Sequence, residues 1–227
     1  MTKLYLVLVL TFLLTSAFAQ KLAQITIDNR GNSNIISFLV DETVIVNMTK
    51  DGKIIDWGIE YKTPRTGIYP MLLKYMGREE YYPSTDNEAY QGKVKYIGRT
   101  PFTYYSSGEN EAFKGKVKTI GSNLLDYYAS YDDATFKGNL KNAGPLSFTY
   151  YSSFDDETYK GKIKTVGSTT LTYYGLMDDK AYRGKVKNIG RSLFTYYSSF
   201  DRTGYSGIIK TGSQMLYSGG IKYFIKN

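Results

Sequence analysis

The 227-residue chain has no cysteine and no histidine, and its one tryptophan is Trp57. Without cysteine there are no disulfides and no thiol nucleophile, and without either residue there is no zinc-finger spacing. A Ser-His-Asp arrangement is excluded because its central base is missing. Long apolar runs are as scarce. The one at Leu4 to Leu14 has eleven residues, too few to cross about 30 Å of hydrocarbon as a helix. Disorder is not expected, since aromatic residues make up 16% of the chain, 24 of them tyrosine.

The short apolar run has the form of an export signal. Lys3 precedes it and Ala17-Phe18-Ala19 follows as an A-x-A cleavage site. The mature chain is therefore expected to begin at Gln20 and to be exported to the periplasm, cell surface or medium. No membrane span is expected after cleavage. Loss of Lys3 lowers the net charge from +8 to +7. That charge is uneven: residues 20–91 carry eight basic and ten acidic groups, whereas 92–218 carry eighteen basic and eleven acidic.

The change in charge coincides with an internal repeat. Gly92, Gly115, Gly138, Gly161, Gly184 and Gly207 recur at intervals of 23 residues, and so do the Tyr-Tyr pairs at 81–82, 104–105, 127–128, 150–151, 173–174 and 196–197. Lys95, Lys118, Lys141, Lys164, Lys187 and Lys210 follow in phase. Each unit reads as two strands and two turns. In the first, such as 114–120, Lys114, Lys116 and Lys118 alternate with Phe113, Gly115 and Val117, which predicts opposite faces. The phased glycine falls inside that strand, where a covering aromatic ring would explain it. The second strand is rich in Thr, Tyr and Phe, and an acidic segment such as Asp155-Asp156-Glu157 closes the unit as a turn.

Two stacking modes are open. A coil would set equivalent lysines about 4.8 Å apart, a repelling ladder; an antiparallel meander sets them about 9.6 Å apart, near the screening length of physiological salt. The expected fold is thus all-β: about six antiparallel hairpins in an open meander over 81–218. A β cap over 20–80 precedes them and a closing strand over 219–227 follows. Cap strands are expected at Gln24 to Asp28, Asn34 to Val40, Thr43 to Thr49 and Lys53 to Tyr61, with a hairpin turn at Lys50-Asp51-Gly52. The cap sheet is expected to continue into the repeats. A weaker period of 46 residues, in which Phe-Thr-Tyr-Tyr-Ser-Ser begins at 102, 148 and 194 and Thr119, Asn142, Thr165, Asn188 and Thr211 alternate, leaves a propeller of 46-residue blades as the alternative. A membrane barrel is disfavoured because Ser and Thr interrupt both strand faces.

Tyr-x-Gly-x-Val on a 23-residue period resembles the membrane occupation and recognition nexus repeats, whose unit is a hairpin of this length. Those repeats carry paired glycines where this chain has Phe-Thr-Tyr-Tyr-Ser-Ser. Gly-x-Val-Lys followed by Tyr-Tyr also looks like the choline-binding hairpins of bacterial surface proteins, whose cages use tryptophans that this array lacks. The overall style resembles exported repeat proteins of Bacteroidetes-type bacteria. These resemblances imply a hairpin array and no activity.

Three residue classes are candidates for chemistry. Lysines repeated along one face make a basic stripe, either a ligand site or a guard against edge pairing. One ring of each tyrosine pair is expected to be partly exposed, for stacking or for packing. The candidate binding surface comprises Lys95, Lys116, Lys118, Lys162, Lys164, Lys185 and Lys187 with Tyr105, Tyr128, Tyr151, Tyr174 and Tyr197. The acidic pairs Asp132-Asp133, Asp155-Asp156 and Asp178-Asp179 fit turn formation better than calcium, which needs six to eight oxygens. Asp56 and Glu60, on one side of a strand, are the only unique carboxylates resembling a glycosidase pair. No catalytic residue, cofactor, metal or nucleic-acid partner is expected. The function expected is a non-catalytic interaction module of the envelope, with an envelope protein as partner; the alternative is a binder of anionic or neutral glycans.

Overall fold

The computed structural model describes residues 21–28, 34–61 and 71–226. The expected signal segment lies outside them. Among the described residues there are twenty strands and no helix, hence none able to cross a membrane. Strands β1 Lys21–Asp28, β2 Asn34–Val40, β3 Val44–Thr49 and β4 Ile54–Tyr61 lie where the cap pattern predicts, and β5 Met71–Lys74 is a further cap strand outside that pattern. The array follows as β6 Glu79–Tyr81, β7 Val94–Ile97, β8 Thr100–Tyr104, β9 Val117–Ile120, β10 Asn123–Tyr127, β11 Leu140–Ala143, β12 Leu146–Tyr150, β13 Ile163–Val166, β14 Thr169–Tyr173, β15 Val186–Ile189 and β16 Ser192–Leu193. These eleven form one continuous antiparallel meander, with β17 Thr195–Tyr196 and β18 Ile209–Thr211 as a last pair beyond it. A running sheet of this order has no separate blades, so the propeller is discarded.

Two expectations about the ends are corrected. The cap does not extend the array sheet. Nor does the tail close the far end: β19 Met215–Ser218 and β20 Ile221–Lys226 return to the cap, giving a seven-stranded sheet in the order β19-β20-β1-β2-β3-β4-β5 with β20 parallel to β1. The reason is burial on both sides. Ile36, Phe38, Val46, Met48, Tyr223 and Ile225 point from the cap onto Phe102, Leu125, Phe148, Leu171 and Phe194 of the array, and all of them share one core. Stacking the sheets face to face removes both apolar faces from water, which edge-to-edge continuation would not. The cap is also coiled. Lys222 Nζ lies 2.8 Å from Glu60 Oε1 although β1, β2 and β3 run between their strands, about 19 Å in a flat sheet. Its outer face is therefore concave, lined by Gln24, Ser37 and Asn47.

The predicted strict alternation fails at one place in every unit. Tyr104 opposes Val117 and Thr103 opposes Thr119, so Lys118 is the extra residue of a β-bulge; the same shift recurs at Tyr81, Tyr127, Tyr150, Tyr173 and Tyr196. The bulge allows Val117 and Ile120, an odd spacing apart, both to face the core. The phased glycine is not in a strand. It lies in the preceding turn with φ between +72° and +77°, a conformation that side chains resist. At Gly161 a Cβ would also sit 2.8 Å from the Thr135 carbonyl oxygen, whereas at Gly92 it would meet nothing within 4 Å. The hairpin turns use a second glycine, with φ between +54° and +58° at Gly98, Gly121, Gly144, Gly167 and Gly190, at the first central position of two-residue loops.

These two glycines separate conformational from steric cost. Gly92→Ala is expected to lower stability by about 1 kcal/mol, from the left-handed backbone alone. Gly161→Ala is expected to cost a further ~1–2 kcal/mol because the Thr135 carbonyl must also move. Urea unfolding of the two variants beside the parent measures the difference, and equal losses would refute the contact.

Candidate functional site

The lysines form two rows, neither of them a free stripe. In the first, Lys93, Lys116, Lys162 and Lys185 each donate from Nζ to the phased glycine carbonyl of the next unit, at Gly115, Gly138, Gly184 and Gly207. Each ammonium also lies 5.2–5.3 Å over the ring of Tyr104, Tyr127, Tyr173 or Tyr196. The second row, Lys95, Lys118, Lys141, Lys164, Lys187 and Lys210, covers Tyr82, Tyr105, Tyr128, Tyr151, Tyr174 and Tyr197 at 5.0–5.5 Å. Lys118 also pairs with Glu109 at 2.7 Å. Burial pulls Lys162 down to about 8. Of the proposed surface, Lys162 is buried, Lys95, Lys116, Lys118 and Lys185 are half-buried, and only Lys164 and Lys187 are exposed.

The first row breaks at Asn139, and the break is filled from the cap. Lys50, at the β3–β4 turn, donates from Nζ to the Gly161 carbonyl at 3.2 Å, the acceptor that a lysine at 139 would reach on the pattern of its neighbours. The Leu140 amide bonds the Lys50 carbonyl at 2.7 Å and the Val117 amide bonds Gly52 at 3.2 Å. Where the repeat loses its lysine, another element of the chain supplies one.

Both rings of each tyrosine pair have structural partners. Tyr104, Tyr127, Tyr150, Tyr173 and Tyr196 donate their hydroxyls to the bulge carbonyls of Val94, Val117, Leu140, Ile163 and Val186 at 2.7–3.0 Å. Tyr82, Tyr105, Tyr128, Tyr151 and Tyr174 donate forward by twenty residues, to Phe102, Leu125, Phe148, Leu171 and Phe194, at 2.8–3.0 Å. A loop aromatic completes a triad in the first five units, and Tyr205 pairs with Tyr197 in the last. In one, Phe136 stacks on Tyr150 at 5.9 Å and meets the edge of Tyr128 at 4.7 Å. Tyr105 is buried; Tyr128, Tyr151, Tyr174 and Tyr197 are half-buried. Burial is the main cause that raises Tyr105 to about 12 and Tyr104, Tyr127, Tyr150, Tyr173 and Tyr196 further.

The acids hold loops. Asp132, Asp155, Asp178 and Asp201 accept the backbone amide three residues earlier at 2.6–2.7 Å. Asp133 accepts from the Thr135 amide and hydroxyl and from Ser153 of the next unit, which holds its carboxyl well below the usual range. Asp156 and Asp179 bridge units in the same way, to Leu176 and Ser199. No group of three or more potential metal ligands occurs among the described residues. Asp56 and Glu60 do share the concave cap face, but Asn47 donates to Asp56 at 2.7 Å while Glu60 pairs with Lys222.

The loop edge carries what the sequence reading missed. Tyr131, Phe154, Met177 and Phe200 are 87%, 97%, 96% and 94% exposed, and they stand at the 23-residue interval. Equivalent positions lie two strands apart, so neighbours in this row are on the order of 9.6 Å apart. The signal was present as a large apolar residue directly before each Asp in the last four loops, where Gly108 and Thr85 stand in the first two. No protein-family model, curated protein or solved structure matches the chain.

Two outcomes follow from these contacts. Lys50→Met is expected to cost about 1.5–3 kcal/mol, the range for a hydrogen bond to a charged group. Asn139→Lys is expected to restore part of that loss in the Lys50→Met background but not in the parent, where two ammoniums would compete for one carbonyl. A double-mutant cycle by urea unfolding reads the coupling, and simple additivity would refute it. The tyrosines set the alkaline limit. Their raised folded pKa values give stability that is present in full below pH 10 and lost as pH rises through 10 towards 12 and beyond. Tyrosinate absorbance should therefore rise together with loss of the β circular-dichroism signal; a non-cooperative titration of all tyrosines near 10 with the fold intact would refute it.

Proposed function

We propose that the protein is a non-catalytic, exported interaction module that holds a partner protein of the cell envelope along the loop edge of its array. The observation that carries this reading is the row Tyr131, Phe154, Met177 and Phe200, kept in water on the period of the fold. Isolated exposed apolar residues are ordinary, but an aligned set on loops fixed by Asp and Ser contacts is the form of a contact area. Along the array the Lys and Tyr rows favour this reading over the glycan one, because each ammonium lies over a ring and, in the first row, gives a donor to a glycine carbonyl; only beside the cap do further exposed cations, Lys53 and Lys114, gather next to them. Lys3, the apolar run after it and Ala17-Phe18-Ala19 support export.

Charge narrows the partner. The windows 131–137, 154–160, 177–183 and 200–206 hold eight carboxylates and five cations. An acidic fringe around an apolar row suits a protein with apolar sockets and a basic rim. It opposes an anionic membrane, and it opposes a second copy presenting the same edge.

The test compares wild type with a Tyr131→Ser, Phe154→Ser, Met177→Ser, Phe200→Ser variant. Both are immobilised against the envelope fraction of the source cells, and the component retained only by wild type is purified and titrated against each by calorimetry. The expected result is a direct complex weakened at least ~100-fold by the four substitutions, with an unchanged melting temperature for the variant. Equal affinity for both proteins, or no component that distinguishes them, overturns the proposal.

A further inference from the structure

A cleft of about 510 Å³ opens between the β3–β4 hairpin of the cap and the first two units of the array, within the size range of small-ligand sites. Trp57 and Tyr81 line it on one side, and Lys53, Lys93, Lys114 and Lys116 approach it from the rest. Glu79 fixes the aromatic wall by accepting from Trp57 Nε1 at 2.8 Å and from the Tyr81 hydroxyl at 3.0 Å. The turn that carries Lys53 is anchored by the bonds from Leu140 to Lys50 and from Val117 to Gly52.

The cations of the cleft are only partly compensated. Lys114 pairs with Glu88 at 2.8 Å, and Lys53 with Asp51 at 3.3 Å in a pair whose lysine is 75% exposed. Lys93 and Lys116 are held by glycine carbonyls rather than by carboxylates at contact distance. Burial lowers the pKa of both; at Lys93 repulsion from Lys53 lowers it further, whereas at Lys116 the pull of Asp51 outweighs the repulsion from Lys53. An anion beside Lys53 and Lys93 would relieve the repulsion between them, with Lys116 as a third donor, while the indole face beside them offers apolar area at small entropic cost.

We infer that this cleft binds an anionic sugar, with its carboxylate or sulfate among Lys53, Lys93 and Lys116 and its apolar ring face against Trp57. The site lies on the first two units, away from the loop-edge row of the last four, and does not depend on the partner reading above.

Trp57 is the sole tryptophan, so its emission reports the cleft alone. Full-length protein is titrated with a uronate trisaccharide, with a neutral trisaccharide and with inorganic sulfate, at low and at physiological salt. The expected result is a saturable emission change with the uronate that weakens as salt rises, at least tenfold weaker binding of the neutral sugar, and much weaker binding of sulfate. Lys53→Gln removes an exposed side chain and is expected to reduce uronate affinity at least fivefold, as is Lys116→Gln, with calorimetry as a second readout and thermal melting to confirm the fold. No saturable change overturns the inference, as does equal affinity for the neutral sugar or an unaltered affinity in both variants. Sulfate binding as tightly as the uronate would assign an anion site without sugar recognition and would equally overturn it.

Discussion

Tyrosine hydroxyls donating to backbone carbonyls are the interaction on which the rest of the array depends. Every unit contains a bulge, and a bulge disrupts the ladder at the point where the strand turns towards the core. A buried carbonyl without a partner there would cost about 1–3 kcal/mol. The first tyrosine of each pair meets that need from inside its own hairpin, and the second reaches a carbonyl of the next unit. The first rings of the pairs also add large buried side chains to strands of only four and five residues. One dipeptide therefore serves hydrogen bonding, packing and the joining of neighbours. It recurs without a slip because a shift of one residue would send both rings to the wrong faces.

The lysines are secondary to this arrangement. An ammonium over a tyrosine ring is worth about 0.5–2 kcal/mol depending on its exposure, and in the first row it also satisfies the carbonyl of a glycine held at positive φ. Asn139 shows that the fold conserves the contact rather than the residue supplying it: Lys50 from another sheet takes the position. A departure from the repeat thus marks the place where the cap is docked. The surfaces proposed for partners are the loop edge of the later units and the cleft where cap and early units meet.

Much of the fold was legible in the sequence. The cap strands, the hairpin unit and its meander follow from alternation, turn residues and the 23-residue interval. The 46-residue alternation has its counterpart in cross-strand pairs: Thr103 with Thr119 and Thr149 with Thr165 at 2.7 Å, but Thr172 with Asn188 at 2.9 Å. Alternation misled at Lys116 and Lys118, because a bulge inserts a residue with no signature in a period-two pattern. The glycines were placed in strands for the same reason. Their real cause, a positive φ, is a torsion rather than a composition. The lysine and tyrosine rows were found, but their burial and partners depend on residues 10 to 22 positions away. The loop-edge row is legible as a large apolar residue before each Asp of the last four loops, but its exposure is not, because whether a loop side chain packs or stays in water depends on what the fold brings over it.

By itself the sequence determined the unit: its length, its two strands, its turns and the number of copies, since these arise from local torsions and spacing within 23 residues. Only the tertiary structure decided that the cap lies over the array, that β20 joins β1, and that Lys50 completes a row begun by distant residues. Those outcomes depend on which apolar faces find one another in three dimensions. A core assembled from two sheets records the meeting in side chains that, along the chain, look no different from those of any half-buried strand.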